Sequence, residues 1–350
     1  MKIVITTVQV PFVMGGAEFH AQSLKNALIK SGHQAEIVTM PLVENPTYMV
    51  ENCIAASRMF DLEYSAAGKI DLCIGLKFPA YYIPHPNKII WALHQYRAAY
   101  DLYYTDYSAL RHSEPGKELR RVIYNADNTY LKEAKRIYAN SQNVANRMQR
   151  YNGITSTPLY HPCPDMDKFY CCEYEDYILM PSRINPTKRQ VLALEALALT
   201  KSNVKIYFVG KADNEFDQRE FDNLIVERGL QDRVRCFGFV SHEETLDYIR
   251  GAKAVIYPSL WYEGFPMTIV ESYSVGTPVI GSNLGNTGSL IEEGKSGWKF
   301  DADSKEQLCD ALRKAMETTK GLERDFVEKY SAESNYEQLR EIYETCCNHN

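Results

Sequence analysis

The stretch Glu263-Gly-Phe-Pro-Met-Thr-Ile-Val-Glu271, followed closely by Gly276-Thr-Pro-Val-Ile-Gly281, decides how this chain is read. Pro266 suits the first turn of a helix, where its missing N–H costs nothing. Residues 267–275 then read as a short, largely buried helix that ends at Gly276, a residue fit for the C′ position. A helix start of this kind presents unpaired N–H groups and partial positive charge, which favours an anion such as a phosphate. Glu271 lies among Ile269, Val270, Tyr273 and Val275 on a helix that otherwise reads as buried. A carboxylate there is costly unless something satisfies it, and a pair of ligand hydroxyls would.

Outward from that stretch, the pattern alternates strand and helix, which implies parallel sheets covered on both faces. Strands are predicted at 3–7, 35–40, 72–76, 88–93 and 136–139, with helices at about 17–30 and 116–135. The periodicity breaks around His161-Pro-Cys-Pro-Asp-Met-Asp167, and turn-forming residues continue to Asp176, the composition of a linker. A second series follows, with strands at 177–181, 205–209, 233–237, 254–257, 278–281 and 298–300. Ser241-His-Glu-Glu244 and Ser304-Lys-Glu-Gln307 read as capping boxes that open two helices. Residues 305–346 are helical in pattern. The expected organisation is one domain over 1–165, a linker at 166–176, and a second domain over 177–331.

The Glu263–Glu271 spacing resembles the E-x7-E signature of the retaining GT-B glycosyltransferases of family 4, and the resemblance covers nearly the whole chain. It implies two Rossmann-like, doubly wound parallel-sheet domains facing across a cleft that holds the ligand. The first domain would bind the acceptor and the second a nucleotide-sugar, with a last helix at about 332–350 crossing back to the first. Glu263, with Gly264, Phe265, Pro266, Met267 and Thr268, would hold the sugar and its β-phosphate, while Glu271 would accept the ribose hydroxyls. Pro181-Ser-Arg-Ile-Asn-Pro-Thr-Lys-Arg189 resembles the family's G-R-L-x-x-x-K-G pattern. Ser182 replaces the first Gly there and Arg189 the last. Arg183 and Lys188 would stabilise the charge that develops on a diphosphate leaving group. Gly15-Gly-Ala-Glu18 resembles the family's glycine loop, so Gly15 and Gly16 are expected at the donor. Gly238 lies in the segment expected to hold the base. His94 matches a family histidine near the transferred sugar, with Gln95, Tyr96 and Arg97 beside it at the acceptor. Leu284-Gly-Asn-Thr-Gly288 departs from the family's G-G-x-x-E loop, with Asn286 and Ser289 at the altered positions.

The implied reaction is retaining transfer of a hexose from a UDP- or GDP-linked sugar to a hydroxyl acceptor, a glycan or lipid-linked glycan, in surface polysaccharide or glycolipid synthesis. Two other functions use the same residues: a nucleotide-sugar epimerase, and a non-catalytic module that binds sugar-nucleotide. No cofactor is implied beyond the donor. The triplets Asp165-Met-Asp167 and Asp301-Ala-Asp303 lack the context of a metal motif and are read as structural, so no metal is expected. The net charge of −6 argues against a nucleic-acid partner. The charge is uneven, +3 over residues 1–165 and −9 over the rest. A basic, tyrosine-bearing region at 103–150 is the place where an anionic membrane could be touched. Nine cysteines without metal spacing, no long apolar run and an N-terminus that opens into a strand lead to a cytoplasmic expectation, peripheral at most on the inner face of the membrane.

Overall fold

The computed structural model describes residues 1–12, 15–105, 108, 110–160, 170–260 and 266–318, with the side chain of Asn286 excepted. The chain divides into two compact units, Met1–His161 and Pro162–Ser334. The expected helix at 332–350 and most of the expected linker lie outside the described residues.

The first unit runs β1 (Lys2–Gln9), α1 (Gly16–Lys30), β2 (Gln34–Pro41), α2 (Tyr48–Met59), a small antiparallel hairpin of β3 (Tyr64–Ser65) and β4 (Gly68–Lys69), then β5 (Leu72–Gly75). It continues through β6 (Lys88–Ala92), α3 (Glu114–Tyr130), β7 (Arg136–Ala139), α4 (Gln142–Asn152) and β8 (Thr157–Pro158). Six strands form one parallel sheet in the order β2-β1-β5-β6-β7-β8. Its central strands β1, β5 and β6 are buried on both faces, as a parallel sheet under two helix layers requires. Ile3, Ile5, Leu72, Ile74 and Trp91 pack with Leu24 and Leu28 of α1. Ile90, Ala92 and Ala139 pack with Leu119, Ile123, Val144 and Met148 of α3 and α4. The helix predicted at 116–135 starts two residues earlier, because the Ser113 hydroxyl accepts the Gly116 N–H at 3.2 Å, and it gives way to a 3-10 turn at Leu131–Glu133.

The second unit runs β9 (Ile178–Pro181), α5 (Gln190–Thr200), β10 (Ile206–Val209), α6 (Glu215–Glu227), β11 (Val234–Cys236), α7 (His242–Gly251) and β12 (Ala254–Tyr257). Then come α8 (Met267–Ser274), β13 (Val279–Ser282), α9 (Gly285–Leu290), β14 (Gly297–Phe300) and α10 (Lys305–Met316). All six strands are parallel, in the order β11-β10-β9-β12-β13-β14. The chain therefore winds outward one way from β9 and the other way from β12, and loops that leave these two neighbours diverge at their carboxyl ends. That is the switch point at which open α/β sheets bind ligands.

Helix ends follow the local chemistry with two corrections. Ser241 and Glu244 form the full reciprocal box, at 3.2 and 2.9 Å. Ser304 accepts the Gln307 N–H at 3.1 Å, but the Gln307 side chain turns instead to Asp301, so only half of that box exists. Pro266 is the N-cap of α8 rather than its first helical residue. At the other end Gly276 (φ +80°) and Thr277 return N–H groups to Tyr273 and Ser272 at 3.0 and 2.8 Å, a Schellman closure. The expected loop at 284–288 is wound into α9.

One buried polar cluster ties the first unit together. The Asp127 carboxylate of α3, without solvent exposure, accepts hydrogen bonds from the hydroxyls of Tyr81 (3.2 Å), Tyr82 (2.6 Å) and Tyr100 (2.5 Å) and from the Gln95 amide (2.8 Å). Burial pushes this carboxyl's pKa up, and the four donors offset part of the rise. The cluster joins α3 to the segments that follow β5 and β6. Asp127→Ala orphans all four buried donors at once and should cost on the order of 3 kcal/mol or more. Urea denaturation would read it as a lower midpoint.

Candidate functional site

The loop that follows β9 carries Arg183 and Lys188 and is organised by its own amides. Gln190, 2% exposed, donates from its side chain to the Ser182 hydroxyl at 2.9 Å and the Arg183 carbonyl at 2.8 Å. Its oxygen accepts the Asn185 N–H at 3.3 Å. The Asn185 side chain accepts from the Lys188 N–H (3.0 Å) and the Thr187 hydroxyl (2.7 Å), folding the turn back on itself. Gly210, after β10, lies so close that a Cβ there would meet the Ser182 carbonyl oxygen at 2.2 Å, and its φ of +141° suits glycine alone. Arg183 is exposed and its guanidinium is held by Asp213 at 2.8 Å. Asp213 also receives Asn185 at 2.9 Å. Lys188 reaches over the ring of Tyr257, at the end of β12, with Nζ 5.4 Å from its centroid. The Thr187 carbonyl accepts the Leu260 N–H at 3.0 Å, so the loops after β9 and β12 are bonded together at the switch point.

Arg189 stands where the resembled pattern has glycine, and its φ is +64°. That left-handed conformation costs a side-chain-bearing residue about 1–2 kcal/mol. Its guanidinium compensates by bonding the Ala302 carbonyl and, at 3.0 Å, Asp303. The triplet at 301–303 is thereby accounted for: Asp303 tethers Arg189 and Asp301 receives Gln307. Asp165 and Asp167 lie outside the described residues.

Glu271, on the second turn of α8, has a side chain only 14% exposed. No described residue hydrogen-bonds its carboxylate, and the nearest basic group is His242 Nε2, at 3.6 Å, on the first turn of α7. Burial raises its pKa, and His242 offsets part of the rise. A desolvated acceptor pair without donors is what ribose hydroxyls would complete. Glu263, Gly264 and Phe265 lie outside the described residues. Pro266, Met267 and Thr268 form the start of α8, whose first N–H groups precede any acceptor within the helix. Gly238 (φ +65°) accepts the Gly210 N–H at 2.7 Å and so sits at the same sheet edge.

In the first unit, Gly15 caps α1 and its N–H donates to Glu18 at 2.8 Å. A carboxylate of the chain therefore already uses part of that helix start. A Cβ on Gly16 would meet nothing within 4 Å, so the fold does not require glycine there. His94 follows β6, half-buried. Its Nδ1 lies 2.9 Å from the Gln95 carbonyl oxygen. That oxygen only accepts, which places the proton on Nδ1 and leaves a lone pair on Nε2. Burial, and then the charges of Arg97 and Lys77, hold the imidazole well below its ordinary pKa. Gln95 does not fit the expectation that it lines the acceptor: it is fully buried, with its amide spent on Asp127 and, at 2.9 Å, Asn152. Tyr96 is half-buried and bonded to Glu44, while Arg97 opens a 3-10 turn at Arg97–Ala99.

Gln190, Asn185, Asp213, His242 and Asp127 were not singled out from sequence. Glutamine and asparagine at a helix start carry no distinctive signal, and what makes these residues matter is a partner 28 to 46 positions away or a buried environment.

Residues 172–332 match the family described as Glycosyl transferases group 1. The chain is 28% identical over 288 residues to an Escherichia coli O-antigen biosynthesis glycosyltransferase, WclY, covering 77% of this chain and 73% of that one. Among solved structures it resembles a sucrose-phosphate synthase from Thermosynechococcus elongatus (TM-score 0.77, 15% identity, all of both chains). It also resembles Anabaena HepE in complex with UDP and glucose (TM-score 0.72, 16% identity, 99% of this chain and all of that one). The fold is GT-B. The matched family and these relatives point one way, and the chain is an enzyme of the glycosyltransferase class.

Glu271→Gln tests the electrostatics. Because burial raises the folded-state pKa, ionisation of this group opposes folding near neutral pH, and stability is gained as pH falls through that pKa. The glutamine variant should melt higher than the parent at neutral pH. It should also lose most of the melting shift that a cognate nucleoside diphosphate produces, since a neutral amide oxygen accepts more weakly.

Proposed function

We propose that the protein is a retaining, family 4-type hexosyltransferase. It would move a sugar from a UDP- or GDP-linked donor to a hydroxyl of a glycan or lipid-linked glycan acceptor, in surface polysaccharide synthesis of the O-antigen kind. The observation that carries this reading is Glu271, a largely buried carboxylate that no described residue hydrogen-bonds, on the helix that follows β12 and across the switch point from Arg183 and Lys188. Support for the pathway comes from the E. coli relative's role in O-antigen biosynthesis, and support for the donor from the UDP and glucose of HepE.

In this reading Glu271 accepts the two pentose hydroxyls, and the first N–H groups of α8, at Met267 and Thr268, face the β-phosphate. Arg183 and Lys188 stabilise the leaving diphosphate as the bond from the anomeric carbon to the phosphate oxygen breaks. The acceptor oxygen bonds that carbon from the same face, and its proton passes to the departing phosphate. Charge stabilisation by the two side chains takes the place of a metal ion. His94 Nε2 accepts a hydrogen bond from a sugar or acceptor hydroxyl, which orients it. Glu263 holds the sugar on the strength of the E-x7-E spacing, with Gly264 and Phe265. In this reading the enzyme works in the cytoplasm or on the inner face of the membrane. No helix among the described residues is long and apolar enough to cross a bilayer.

Arg183→Ala and Lys188→Ala should each lower kcat by about 10²–10³, the loss typical of one missing charge donor. Steady-state kinetics with a donor found by thermal-shift screening against nucleoside diphosphates would measure it, and parent-like turnover in either variant contradicts the assignment. NMR of the product anomer checks retention. A sugar isomer formed without any acceptor would indicate an epimerase instead.

A further inference from the structure

A concavity of about 460 Å3 on the first unit is lined by Tyr103, Lys117, Arg120, Arg121, Tyr124 and Asn125. Its volume falls within the range of small-molecule sites. We propose that it binds an anionic sugar unit of the glycan substrate, one that bears a carboxylate or a phosphate. The glycan part of this statement rests on the transferase reading above.

The lining holds three cations and no carboxylate, on a chain whose net charge is −6. Arg120 is fixed before any ligand arrives. Its Nε donates to the Ala99 carbonyl at 2.9 Å and its Nη2 to the Tyr124 hydroxyl at 3.3 Å. Its guanidinium carbon stands 3.7 Å from the Tyr103 ring centroid and 5.0 Å from that of Tyr124. A guanidinium held this way keeps its fork geometry for an oxyanion and loses little freedom on binding. Lys117 and Arg121 stand on the same helix, bonded to Glu114 at 2.6 Å and Glu118 at 2.9 Å. Both are exposed pairs three residues apart, weak enough to yield to a ligand. The Asn125 amide and the Tyr124 hydroxyl supply neutral donors and acceptors of the kind sugar hydroxyls take. A hollow with an amide and a preset fork fits a discrete acidic sugar better than a flat lipid surface. The pocket also abuts the segment after β6: Ala99 receives Arg120, and Tyr100 stacks on Tyr124 at 4.6 Å.

The test is calorimetric titration of the full chain, at low salt, with tetragalacturonate, with neutral maltotetraose, and with phosphatidylglycerol vesicles. Tetragalacturonate should bind, with maltotetraose about tenfold weaker or worse, and Arg120→Gln should weaken the acidic ligand by about tenfold or more, the scale of a charge-assisted fork. Should Arg120→Gln disturb folding, the surface pair Lys117→Gln with Arg121→Gln carries the same expectation. Nucleoside diphosphate binding must stay at the parent value in each variant. Equal affinity for both oligosaccharides, no binding of tetragalacturonate, or capture by vesicles alone each overturns the proposal. Titration needs no turnover, so the two readings fail separately. A chain that transfers sugar but ignores tetragalacturonate loses only this site, while one that binds it and transfers nothing loses the enzymatic reading.

Discussion

A parallel sheet that is wound outward from its middle in two directions must part its loops at one edge. In the second unit that constraint falls between β9 and β12, adjacent in the sheet but separated in sequence by β10, β11 and three helices. The loop after β9 brings two cations, and the segment after β12 leads into the helix of Glu271. In the proposed function the two together would hold a diphosphate and its pentose. Their joining at Thr187 and Leu260 makes the two loops one surface.

Charged loops at such an edge repel themselves and the helix starts behind them, so they need internal bracing. Here the bracing is amide chemistry. Gln190 reaches back to Ser182, Arg183 and Asn185, and Asn185 in turn gathers Thr187 and Lys188. The first unit solves a similar problem with one carboxylate: Asp127 gathers three tyrosine hydroxyls and Gln95, and so sets the chain immediately beyond His94. In both cases a polar group without solvent access acts as the knot, because a buried donor or acceptor tolerates few alternative geometries.

Sheet architecture and the order of strands and helices were legible because apolar runs of four to eight residues, punctuated by glycine and proline, recur along the whole chain. Arg183, Lys188 and Glu271 were singled out because charge near a helix start or on a buried face is costly and so stands out. Other features were not. Helix α2 at Tyr48–Met59 went unmarked although Val50, Cys53, Ile54 and Ser57 form a buried stripe, because a cysteine and a serine hold half of that stripe. Gln95 was assigned from its neighbour His94, yet adjacent residues on an extended segment point to opposite sides, and its side chain turned inward. The half-formed box at Ser304 failed because Asp301 competed for Gln307, a contest that spacing does not reveal.

Arg189 ties the backbone beside Lys188 to a distant part of its unit. A glycine at that position needs nothing from the rest of the protein, whereas the arginine is anchored by Ala302 and Asp303, over a hundred residues downstream. The backbone twist beside Lys188 has thereby become dependent on an aspartate at the mouth of α10. Removing Asp303 would loosen that twist from a distance, because its carboxylate serves as a mooring for a guanidinium.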